Sequence, residues 1–148
     1  MTTAVLLVSQ EHGGSEAFTI SEDPLRLRSA RLSADVHLQL QHQYQLVREK
    51  ARRSWHASTA AYAYTLTSSG RELAAWHWHP ASGVAYPHVH VTGAVLDHRV
   101  HVPTGRVSIE SVLRMLIGDF GVAPLRDDWD DVLAKTERDF IEHRRWHA

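Results

Sequence analysis

The stretch VHLQLQHQYQL, residues 36–46, decides the fold class. Leu38, Leu40, His42, Tyr44 and Leu46 alternate with His37, Gln39, Gln41, Gln43 and Gln45. Successive side chains of a strand point to opposite faces, so strict alternation predicts a β-strand with one wet face. The run Arg48-Glu49-Lys50-Ala51-Arg52-Arg53 then breaks the pattern as an exposed basic connection, and Trp55 follows it.

Residues 59–67 are again strand-like, with Tyr62, Tyr64 and Leu66 on one face. Ser68-Ser69-Gly70 supplies a turn and residues 72–79 return, which predicts a hairpin. Pro80 ends it, because proline cannot donate to a ladder. Ser82-Gly83 marks a further turn, and Thr92-Gly93 separates two short strands expected at 86–91 and 94–102. Upstream, residues 4–9 and 17–20 read as strands around a turn at 11–14. Residues 21–34 show neither period.

After Pro103 the spacing changes. Ile109, Val112, Leu113, Leu116, Ile117 and Phe120 recur at helical intervals, with Ser108 as N-cap and Gly121 and Pro124 as stops. A second helix is expected over about 127–143, burying Trp129, Val132, Leu133, Thr136 and Phe140. Acidic residues open that helix, and His143, Arg144 and Arg145 close it, which suits the helix dipole. Strands followed by helices predict an α+β domain over residues 1–148. Its antiparallel sheet is expected to carry the two C-terminal helices on one face.

The 148-residue chain has the size of one domain, and at that length folding buries roughly 70% of the unfolded surface. A core therefore needs no covalent staple. There are no cysteines, which excludes disulfides, thiolate zinc sites and cysteine nucleophiles and fits a reducing compartment. A net charge of -1 gives no global pull towards nucleic acid or membrane. The apolar run at residues 4–8 lacks a basic flank and is too short for a signal peptide or a membrane span. These features predict a cytoplasmic protein.

Twelve histidines are the unusual feature, and six of them, His77, His79, His88, His90, His98 and His101, share one short window. Residues two apart on a strand project together, so His77 pairs with His79 and His88 with His90. If the two strands pair, four imidazoles converge, with His98 and His101 close by in sequence. Such a cluster can move protons near neutral pH or hold a divalent transition metal. It can also be a half-buried strand whose rings make ordinary hydrogen bonds.

Hydrolytic and oxygenase metal sites often add a carboxylate to their histidines. Asp97 is the only acid between Glu72 and Glu110, so the sequence tips towards a metal-free acid–base set on a phosphodiester. RNA cleavage needs a base, an acid and a cation for the phosphate. His77, His79, His88 and His90 would supply the first two and Arg99 or Arg106 the third, with Tyr62 or Tyr64 assisting. A metal site on the same four histidines is the alternative, and a non-enzymatic interaction module is a third. Arg48, Lys50, Arg52 and Arg53, with Trp55, form the one dense basic run beside an aromatic. They are candidates for phosphate contact and base stacking, or else a solvated loop.

Four segments carry a resemblance: Tyr62-Ala63-Tyr64, Gly70-Arg71-Glu72-Leu73, Trp76-His77-Trp78-His79-Pro80 and Pro87-His88-Val89-His90. Together they resemble the TumE-type toxins of bacterial toxin–antitoxin modules, over about thirty residues. That family has an Asp-Asn pair in the third segment and one more histidine in the fourth. The resemblance implies a small growth-inhibiting toxin encoded beside an antitoxin protein.

Overall fold

The computed structural model describes residues 6–10, 16–20, 23–32, 34–49, 54–93 and 100–143. Its strands are β1 (Leu6–Gln10), β2 (Glu16–Ile20), β3 (Leu25–Leu27), β4 (Val36–Glu49), β5 (Ser54–Ser68), β6 (Arg71–Trp78), β7 (His88–Val91) and β8 (Val102–Pro103). Helices α1 (Ile109–Gly118) and α2 (Trp129–His143) follow. All strands join one antiparallel sheet in the order β1-β2-β4-β5-β6-β7-β8, with β3 also paired to β4. The α+β architecture expected from the change of period is therefore present. No helix among the described residues is long and apolar enough to cross a membrane.

Alternation in β4 places Val36, Leu38, Leu40 and His42 in the interior, opposite Tyr62, Tyr64 and Leu66 of β5. Val112 and Leu116 of α1 close this core, together with Trp78 and Val122. Leu46, read as apolar-face, is exposed where β4 runs on past the core into the long hairpin.

The β5–β6 turn carries Ser69 at φ 50° and Gly70 at φ 73°. Two successive positive φ values match the twist of a two-residue hairpin. Ser108 caps α1 by accepting from the Ser111 N–H at 3.0 Å. Gly121 takes φ 68°, and a Cβ there would meet the Arg31 side chain at 2.8 Å. Arg31 also donates to the carbonyl of Gly118 at 2.8 Å, satisfying an end of α1.

Helix α2 is shallower than its sequence suggests. Trp129, Val132, Leu133 and Phe140 are half-buried, and Thr136 is exposed rather than buried. The Glu137 carboxylate ties α2 to α1, accepting from Ser108 at 2.7 Å and from Arg114 at 3.1 Å.

Two irregularities re-aim side chains. Gln43 pairs with Ala61 but Tyr44 with Thr59, so Ala60 is the extra residue in β5. Leu66 pairs with Ala74 but Thr67 with Glu72, so Leu73 is the extra residue in β6. A bulge breaks the period of two and turns what precedes it to the other face.

Candidate metal centre

Strand β6 pairs with β7 so that His77 lies opposite His88 and Ala75 opposite His90. Cross-strand partners share a face, which brings three imidazoles together. Strand β8 continues the pattern, with Val102 opposite Val89, so His101 follows on the side of His90. The ring centroids of His77 lie 5.6 Å from His88 and 4.9 Å from His90. Those of His101 lie 4.7 Å from His88 and 4.6 Å from His90.

One nitrogen from each of His77, His88 and His90 lies within 4.8 Å of the others. Zinc–nitrogen bonds of ~2.1 Å need nitrogens no farther apart than ~4.2 Å, so small torsional changes would complete coordination. His88 is 4% exposed. Its Nδ1 lies 2.9 Å from the Tyr86 carbonyl oxygen, which can only accept. Nδ1 therefore carries the proton, and the Nε2 lone pair is left for a ligand. Burial, followed by the neighbouring His90, His88 and His101, holds His77 down to about 4. Its ring is neutral at pH 7, the form that binds metal.

The bulge at Leu73 supplies what the sequence reading lacked. It turns Glu72 onto the histidine face, where Oε1 lies 3.9 Å from Nδ1 of His90. That is too long for a direct hydrogen bond but close enough to attract a ring proton. A carboxylate behind a ligating imidazole fixes its tautomer and raises its basicity. Counting by twos puts Glu72 on the tryptophan face, so alternation alone hid it.

A cavity of about 430 Å³ adjoins the cluster, lined by His77, His79, His88, His90 and His101 and by the loop at Ser82 and Val84. His79 is exposed and stands at this cavity just beyond β6. Ser82 holds the turn there through its N–H at 2.9 Å and its hydroxyl at 2.8 Å, both to the His79 carbonyl.

Of the other candidates among the described residues, Tyr62 alone reaches this cavity. Tyr64 is fully buried, and its hydroxyl meets Nδ1 of His42 at 2.7 Å. Burial pushes that hydroxyl well above its usual range. Tyr62 contributes to the cavity wall, but its hydroxyl accepts the Val107 N–H at 3.0 Å and its ring stacks on Tyr64 at 4.8 Å. The Arg106 guanidinium lies 3.6 Å over the ring of Trp78, whose side chain points away from the face of His77. Tyr64 and Arg106 are therefore not brought to the histidines, because neighbouring positions on β5 and β6 face opposite ways. Arg48 and Trp55 are exposed cross-strand partners near the far end of the β4–β5 hairpin. Arg99, His98, Lys50, Arg52 and Arg53 lie outside the described residues, as does most of the strand expected at 94–102.

No family model, no curated protein and no solved structure matches this chain.

Proposed function

We propose that the protein is a metal-dependent enzyme whose transition metal is held by His77, His88 and His90. One observation carries the reading: three imidazole nitrogens converge beside a cavity, and the ring of His88 is oriented from behind for binding. An all-imidazole donor set suits zinc, nickel, cobalt or copper, and not magnesium or calcium. A metal there would polarise a carbonyl or phosphoryl oxygen and activate a bound water, so hydrolysis is the chemistry proposed. Burial and its histidine neighbours also keep His77 from serving as the charged member of a metal-free acid–base pair.

The test is metal analysis of the purified full chain after exposure to zinc. Retention of one ion per chain is expected, with loss in His88→Ala and His90→Ala. Glu72→Gln should bind roughly 10- to 100-fold more weakly, the usual effect of removing an outer partner. A wild-type chain that stays folded and retains no zinc, nickel, cobalt or copper would sink the reading.

A second reading is an RNA-directed toxin: the resemblance to TumE-type toxins implies a growth-inhibiting toxin, and the histidines supply the inference that it acts on RNA. One observation favours it: Trp55 is 64% exposed beside Arg48, an aromatic and a cation available to a single strand. In that reading the histidines cleave RNA and an antitoxin protein restrains the toxin.

A further inference from the structure

We propose that His101 is the fourth ligand of this centre and the exchangeable one, giving way when a substrate oxygen coordinates. The inference rests on the metal-centre reading and deepens it. The ring of His101 stands edge-on to both His88 and His90, with interplanar angles of 68° and 84°. The His101 nitrogens lie outside the set that His77, His88 and His90 form within 4.8 Å, so a side-chain rotation would bring His101 onto the ion. His101 also borders the cavity, so its departure opens a coordination position towards that space.

The other three ligands sit in better-held strands. His77 belongs to an eight-residue strand paired on both sides, and His88 and His90 lie between β6 and β8. Among the described residues, strand β8 has two residues and lies at the end of the strand order, and the neighbouring Val100 and Val102 are exposed. Thr104 N–H donates to the Pro87 carbonyl at 2.9 Å, fixing the downstream end of β8, whereas His101 lies at its upstream end. Sites with four protein ligands are structural, and catalytic sites keep one position open. A ligand carried beside so short a strand can meet both requirements in turn.

Cobalt(II) is the probe, because its visible absorption is strong in four-coordinate sites and falls as water adds. The apo full chain would be titrated with cobalt and zinc, alongside His101→Gly, His101→Gln and His88→Ala. Wild-type protein should bind one cobalt with intense absorption. His101→Gly should bind one ion at least ~10-fold more weakly, as loss of even an outer partner does. Its absorption should fall, and added free imidazole should restore it. His101→Gln, which keeps bulk, should behave like His101→Gly before imidazole, and circular dichroism should show both folded. Wild-type affinity and spectrum in both His101 variants, with binding lost in His88→Ala, would overturn the role of His101 and leave the three-histidine centre standing. A folded wild-type chain that takes up neither ion would overturn both.

Discussion

At the residue scale, His42 is the most informative side chain outside the cluster. Its nitrogens meet the Tyr64 hydroxyl at 2.7 Å and Thr59 Oγ1 at 3.1 Å inside the core. The bulge at Ala60 makes the second contact available, because it turns Thr59 to the interior face. Burial lowers His42 from 6.5 to about 4. The folded protein keeps this ring neutral, while the unfolded chain takes up a proton below about 6.5. The stability it contributes is complete above that pH and declines as pH falls towards 4, by up to roughly 3 kcal/mol. Urea denaturation at pH 7 and pH 4.5 should therefore show a smaller acid-induced drop in His42→Gln than in the parent chain. An equal drop in both would show that His42 does not carry the effect.

At the element scale, Ser108 does two jobs. Its hydroxyl oxygen accepts from the first turn of α1, and its proton goes to Glu137 of α2. Losing an N-cap costs about 1 kcal/mol, and Ser108→Ala should exceed that, to about 2 kcal/mol, because Glu137 loses a donor as well. Thermal unfolding of Ser108→Ala against Ser111→Ala would check it; a Ser108→Ala value below 0.5 kcal/mol would count against the double role. The elements themselves were legible where one period ran unbroken, as in β4 with its alternating glutamines and in α1 from Ser108 to Gly121. Residues 21–34 were not, because β3 is only three residues long and no period can register over that span. The bulges at Ala60 and Leu73 were invisible for another reason. Each inserts an apolar residue into an apolar-rich strand, so the composition keeps no trace of the skipped step. His77, His88 and His90 could be read because their pairing needs no bulge, whereas Glu72 depended on one.

At the scale of the whole molecule, the sheet holds the two sequence-level candidate surfaces apart. Ala63 pairs with His77, and Trp55 lies eight positions back along β5. At about 3.4 Å per residue that is roughly 25 Å, too far for Arg48 to hold a phosphate at the histidines. Replacing Arg48 and Trp55 together by alanine should therefore weaken any binding of single-stranded RNA and flatten its salt dependence, while zinc affinity stays unchanged. Fluorescence anisotropy with labelled RNA at two salt concentrations, beside a zinc titration, would show this. Parallel losses of RNA and zinc binding would mean that the two surfaces are not independent.

The order β4-β5-β6-β7-β8 joins each of these strands to its sequence neighbour, so alignment errors at one hairpin pass to the next. A one-residue slip of β7 against β6 would still pair backbones, but it would turn His88 and His90 to the face of Trp76 and leave His77 alone. Coordination at the proposed centre would thus act as a proofreader of strand alignment: an ion bound by both strands would favour the correct pairing over its slipped neighbours. Molecules trapped out of step during refolding would take up no ion, and adding zinc at the start should raise the yield of correctly aligned chains.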